Sequence, residues 1–248
     1  MTTVKQLTRA AYGIHIADQI ALVSVPLVAA LIFDAPAEII GLLVACQSMA
    51  HLLGSIPFGI LVDTYQQRTL AISATLLSFV GFSGAAAAVA FGSLFWFGLF
   101  VVLSGFGVVL FMLTTLSIIP KVVASKDLGT ANAGIELPRA LASFVVPLSV
   151  GIAVSYVSAG WLFPVAAVGA VAACIFALRL PSFDVTPNVS SENIFRRIFE
   201  GGKYVMDHGL LRAILLCAIF WNFAFSALLV TMVPLIRDVY LIEAGTFG

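Results

Sequence analysis

The stretch GILVDTYQQRTL, Gly59 to Leu70, interrupts a chain that is apolar for long distances on either side. It holds one acid, Asp63, one arginine, Arg68, and polar or aromatic residues between them. As a surface turn, it simply separates two apolar segments. As a moving contact, its two charges are the parts that would make and break. The choice depends on what the flanking segments are, and on which side of them the turn lies.

The 248 residues are 61% hydrophobic and 10% charged, with a mean hydropathy of +1.12. Soluble domains carry roughly 25% charged residues. So much apolar surface does not fit inside one water-soluble core, and the composition defines an integral membrane protein. The formal net charge is zero, so no nucleic-acid partner is expected. Membrane lipids are the expected surroundings. Cys46, Cys174 and Cys217 all lie in apolar runs. Their odd number and spacing suit neither a disulfide framework nor a metal site, and they read as packing residues.

A membrane-spanning helix needs about 20 mostly apolar residues. Seven segments qualify: 11–33, 38–62, 70–91, 94–119, 131–157, 161–179 and 211–237. The connections DAPA (34–37) and GS (92–93) are short enough to make their flanking helices antiparallel neighbours. The first span follows Lys5 and Arg9, but it is too long for a signal-peptide core and reads as a retained span. Small residues are frequent in the spans, as in GFSGAAAAVAFG (81–92), and such residues let helices approach closely in lipid.

Lysine and arginine set the orientation. One group of span ends carries Lys5, Arg9, Arg68, Lys121, Lys126, Arg179, Arg196, Arg197, Lys203 and Arg212, whereas the opposite ends carry only Arg237. The positive-inside rule places the first group, and with it the N-terminus, in the cytoplasm. Seven spans then put the C-terminus outside. The organisation expected is a cytoplasmic N-terminus (1–10), a six-helix bundle (11–180), a cytoplasmic linker (181–210), a seventh span (211–237) and an external stub (238–248). Within the linker, Ser191 suits a helix N-cap. Ile194, Phe195, Ile198 and Phe199 recur at helical spacing, which predicts an amphipathic helix at the membrane surface. The sequon at Asn188 faces the cytoplasm and is discounted.

Ionisable groups within spans are costly and are candidates for function. His15 and Asp18 are three residues apart and share a face of the first span. Gln19 adjoins them. The pair could form a structural hydrogen bond, carry a proton or contact a substrate, and the sequence leaves these open. Glu136 and Arg139 in the fifth span share a face in the same way. They form either a local ion pair, with the arginine reaching for the interface, or part of a cavity wall. Gln47, Ser48 and His51 in the second span, and Asn222 in the seventh, supply further polar groups for a cavity or for interhelical hydrogen bonds. The phenylalanines of FGSLFWFGLF (91–100) read as lipid-facing packing.

The opening stretch resembles the loop 2–3 signature of the major facilitator superfamily, G-x-x-x-D-R-x-G-R-R/K. Gly59, Asp63 and Arg68 match, while Thr64, Gln66 and Gln67 stand where that family prefers Arg, Gly and Arg. The loop is cytoplasmic and lies between spans 2 and 3, where the family has it. In span 5, Val146-Pro147-x-x-Val150-Gly151, with Ala133 and Ala142 upstream, is similar to the Gly-Pro motif of the family's antiporters, with valine replacing two glycines. Asp18 after a small residue, Ala131-Asn132-Ala133, and FEGGKYVMDHGLLRAILL leading to span 7 resemble the drug, macrolide and siderophore exporters. The resemblance implies an all-α membrane protein: the family's N-terminal six-helix bundle plus one helix of the second. It also implies alternating access by two bundles that rock about a central cavity. Gly59 would allow close helix approach. Asp63 would meet a helix N-terminus or a basic group on the other bundle and hold the outward-open state.

Members of that family have about twelve spans in roughly 400 residues, and this chain has seven. Truncation after span 7, or a half that works with a separate C-terminal chain or a second copy, is the expectation. The expected activity is proton-coupled efflux of a small amphipathic compound, a drug or siderophore, across a bacterial inner membrane. Asp18 would be the proton carrier and the proton gradient the driver, with no cofactor or metal. The alternative is a membrane fragment that does not transport. Seven spans also suit a retinal protein, but residues 211–237 contain no lysine for its Schiff base. His15, His51 and His208 lie in no metalloenzyme motif, so an enzyme is not expected.

Overall fold

Backbone groups inside a bilayer have no water to bond, so a spanning segment must satisfy its own hydrogen bonds. The apolar segments of this chain do so as helices. The computed structural model describes residues 2–183 and 194–238. Its helices in chain order are α1 (Thr2–Leu31), α2 (Ala37–Thr64), α3 (Gln67–Ala90), α4 (Leu94–Val122), α5 (Leu128–Val154), α6 (Leu162–Leu178), α7 (Ile194–Asp207) and α8 (Gly209–Asp238). All but α7 are long and apolar enough to cross a membrane. The architecture is thus all-α, with seven candidate spans.

Helix α1 starts at Thr2 rather than near residue 11. Its 30 residues extend about 45 Å at 1.5 Å per residue, longer than the hydrocarbon core. The first two turns, with Lys5 and Arg9, therefore reach beyond the apolar layer. Prolines lie within α1 (Pro26), α2 (Pro57), α4 (Pro120) and α5 (Pro138 and Pro147). Each lacks an N–H and so leaves a carbonyl unpaired, a defect that spanning helices tolerate through local adjustment.

The turns are tight because their residues permit it. Gly92 has φ +69° and ends α3 in a Schellman motif. The N–H of Ser93 donates to the Ala88 carbonyl at 2.9 Å, and that of Gly92 donates to Val89 at 3.1 Å. Asp34, at φ 46°, turns the chain between α1 and α2. Aspartate visits the left-handed region more readily than most residues.

Helix α1 lies against α2, α4, α5 and α6, α3 packs on α4 and α6, and α2 packs on α4. Two seams are set by small residues. At the α1–α6 crossing, a Cβ on Gly13 would lie 2.5 Å from the Gly169 carbonyl oxygen, and one on Gly169 would lie 2.8 Å from the Gly13 carbonyl oxygen. The two backbones are in contact with no side chain between them. At the α3–α4 crossing, a Cβ on Gly107 would come within 2.5 Å of the Ser78 nitrogen. Phe97 meets Phe163 edge-on at 5.1 Å, and both rings are fully buried.

Outside these seams the surface is apolar. Phe91, Phe95, Phe144, Val168 and Leu52 are all largely exposed, as suits a surface in lipid rather than water. Helix α8 carries exposed Phe220, Trp221 and Phe223. Among the described residues, none of the span Gly209–Leu228 is buried, and the helix lies against α1, α2 and α7. It lies outside the six-helix bundle. In α7, Arg196 Nε donates to Glu200 Oε1 at 2.7 Å along one face, and Phe199 and Tyr204 are exposed. Ser191, the sequon at Asn188 and the stub beyond 238 lie outside the described residues.

Candidate functional site

The polar residues singled out within the spans come from three helices that share the α1 contact. On α1, His15 is only 3% exposed, while Asp18 and Gln19 are partly buried. On α2, Gln47 is 5% exposed. His51, partly buried, sets its Nδ1 3.3 Å from the Gln47 carbonyl one turn back. On α5, Arg139 Nε donates to Glu136 Oε2 at 2.7 Å, with both side chains about half exposed. The spacing-based ion pair is therefore present, on a helix that packs against α1. No hydrogen bond joins His15 to Asp18 among the described residues.

His15 and Glu136 line one small cavity of about 20 Å³ together with Phe111, Met112 and Thr115 of α4 and Ile135 of α5. Thr115 was not distinguished by sequence reasoning. The signal available was the pair Thr114-Thr115 in a strongly apolar span, and only geometry separates the two. Asn222 of α8 stands apart from this group. It is exposed and donates to the Ala218 carbonyl at 2.8 Å. On α5, Pro147 is partly buried and Gly151 is buried in the helix face towards the bundle.

The turn that opened the reading lies at one end of the bundle. Asp63 is exposed. Gly59 would meet nothing within 4 Å if it carried a Cβ, so it makes no close approach to another described element. Gln67, which stands where the resemblance prefers an arginine, is buried, and its Nε2 donates to the Val62 carbonyl at 3.2 Å. It thereby satisfies an end-of-helix acceptor of α2. Arg68 Nη2 donates to the Leu178 carbonyl at 2.9 Å, tying the turn to the C-terminal end of α6, where a cation is favoured by the helix dipole. Beside it, Arg9 and Arg179 each place a guanidinium over the Phe176 ring, at 5.7 and 5.6 Å.

Two larger grooves open on the outer surface. One, of about 410 Å³, lies among α1, α5 and α6 and is lined by residues such as Ile16, Ile20, Leu141 and Val165. The other, of about 490 Å³, lies between α2 and α4 and is lined by Leu42, Cys46, Phe95 and Leu99. Ser149 in the first already donates to Val145. Neither groove offers the convergent polar groups that orient a ligand, and both suit lipid chains. Among the described residues, no three His, Cys, Asp or Glu side chains gather as a metal site would require.

Six packed spanning helices, with ionisable groups within α1, α2 and α5 and a charged turn between α2 and α3, define a multi-pass membrane protein of the bundle type. The sequence profile of the Major Facilitator Superfamily matches residues 11–247. The chain belongs to that superfamily. No curated protein matches it. A solved structure of a POT family transporter in complex with thioalcohol conjugated peptide superposes with a TM-score of 0.65, covering 96% of this chain and 50% of that one at 14% sequence identity. At that identity the likeness concerns the fold. The chain spans about half the length of that transporter.

Proposed function

We propose that this chain forms one bundle of a transporter that moves a small amphipathic compound, a drug or a siderophore, out of a bacterial cell in exchange for protons. The observation that carries the reading is the set of ionisable groups on α1 and on the two spans α2 and α5 that pack against it: His15 and Glu136 line one cavity, Arg139 pairs with Glu136, and Asp18 and His51 lie on the packed helices α1 and α2. Such groups are expensive in a membrane and occur where ions or substrates pass. Asp18 is the proton carrier in this reading. It lies near the middle of α1, where an ionisable group is costly unless it has a function.

A second bundle facing this one completes the path, whether it is continuous with this sequence, on a separate chain or from a second copy. Rocking of the two bundles exposes the cavity alternately to each side. In this reading Asp63 and Gly59, at the end of α2, meet that second bundle, while Arg68 holds the turn to its own bundle. The inner membrane is the location, with the N-terminus in the cytoplasm, on the basis of the lysine and arginine asymmetry.

The test uses everted membrane vesicles containing the full chain, alone and together with a co-expressed second bundle. Energised vesicles should accumulate a cationic amphipathic dye or an iron-free siderophore. Accumulation should collapse with a protonophore and in Asp18→Asn at unchanged protein level. Accumulation indifferent to both treatments, or none in either arrangement, overturns the proposal.

A further inference from the structure

The small cavity between α1, α4 and α5 has an unusual lining for its size. His15 and Thr115 are each 3% exposed, and His15 Nδ1 and Thr115 Oγ1 are buried with no hydrogen-bond partner. A threonine inside a helix ordinarily returns its hydroxyl to the preceding turn. Thr114 does this, donating to the Leu110 carbonyl at 2.7 Å, and Thr75 does so to Ala71. Thr115 does not, and its hydroxyl is left to the cavity. The third polar wall is Glu136. One of its oxygens takes the Arg139 bond, and an ionised carboxylate has about four acceptor positions, so capacity remains. A buried water needs roughly 10–15 Å³ of space and 2–4 polar partners. The cavity offers about 20 Å³ and three polar side chains in its lining.

We infer that this cavity holds one tightly bound water that joins Glu136 to His15, with Thr115 positioning it. The water site stands on the geometry alone, and only its use as a proton path rests on the transport reading above. In that path, a proton delivered to the Glu136 carboxylate during transport passes on to the water oxygen as the water gives one of its own to His15 Nδ1. One O–H bond breaks at the carboxyl and one at the water. One O–H bond forms at the water and one N–H bond forms at the ring. The neutral acid and neutral imidazole become carboxylate and imidazolium, and the net charge of the site is unchanged. Arg139, bonded to Glu136, stabilises the carboxylate so formed. The other ionisable groups nearby are Asp18 on α1 itself and His51 on α2. Helix α4 lines the cavity with no ionisable side chain. The Thr115 hydroxyl passes no proton and fixes the orientation of the water.

The chain has three histidines, so ¹⁵N-histidine labelling of the full chain in lipid nanodiscs gives three ring systems, and His15→Gln assigns one of them. Magnetisation transfer from water should reach the His15 ring in the parent and in Thr115→Ser. Thr115→Val keeps the side-chain shape but removes the hydroxyl, and should abolish the transfer and shift the Nδ1 resonance. Thr115→Ala, should the valine variant fail to fold, should also shift Nδ1, and unchanged His51 and His208 signals report the intact fold. A ring that receives no transfer in the parent, or one whose transfer and shift survive both Thr115→Val and Thr115→Ala, overturns the inference. Because no transport is measured, that outcome leaves the transport proposal to its own test.

Discussion

Adding one methyl group to Gly13 tests the α1–α6 seam most directly. The new Cβ would lie 2.5 Å from the Gly169 oxygen, 2.9 Å from the Ala173 nitrogen and 3.2 Å from the Ala173 Cβ, where ordinary contact begins at 3.4 Å. Two of these three atoms are backbone, so no side-chain rotation relieves the clash, and α6 must withdraw by about 0.9 Å. A gap of about 0.5–1 Å forfeits roughly a quarter to a half of each dispersion contact along a seam. Overpacking of this type costs about 1–3 kcal/mol. Alanine also gains about 0.5–1 kcal/mol over glycine inside a helix, which partly hides the effect. Gly59→Ala makes the same chemical change where a Cβ meets nothing, and so serves as the reference. The difference between the two variants should be about 2 kcal/mol, or roughly 4–8 °C in apparent melting temperature for a chain of this size. Fluorescence-detected size exclusion after heating in detergent reads this out. If Gly13→Ala melts together with Gly59→Ala, the backbone contact does not hold α1 to α6 as described.

Two further outcomes follow from the structure. Arg68→Gln should remove the bond to Leu178, costing about 1 kcal/mol at this partly exposed site, and hydrogen exchange should quicken at residues 176–180 while the α3–α4 seam keeps its protection; unchanged exchange would show that Arg68 does not anchor α6. In a background with Cys46, Cys174 and Cys217 replaced by alanine, a cysteine at Lys126 should react with an impermeant maleimide only in everted vesicles and one at Asp34 only in intact cells; the reverse pattern would invert the topology.

Sequence reasoning reached the class of fold because the bilayer makes a demand readable in one dimension. Some 20 apolar residues must occur in a row, and the basic residues must collect on one side. It also reached the Glu136–Arg139 ion pair, since three residues along a helix fix both partners on one face. It did not reach the contacts that cross the bundle. Arg68 meets Leu178 at a separation of 110 residues, a distance at which nothing in the local sequence marks a partner. Gln67 was visible only as a departure from a motif, and its role as the cap of α2 required knowing that it is buried.

The sequence by itself determined seven apolar spans, their turns and the few positions where charge enters the membrane, because burial in lipid selects composition before it selects shape. Which face of each helix turns inward was decided by tertiary structure. Helix α6 is apolar around its whole circumference, so hydrophobic periodicity is silent there. Its inner face is instead the small-residue row Ala166, Ala170, Ala173 and Ala177, which becomes meaningful only once α1 is seen against it. In the same way Thr114 and Thr115 are equivalent as letters. The approach of α1 and α5 to α4 leaves one hydroxyl closed on its own helix and the other without a partner beside a cavity that a histidine and a carboxylate also line.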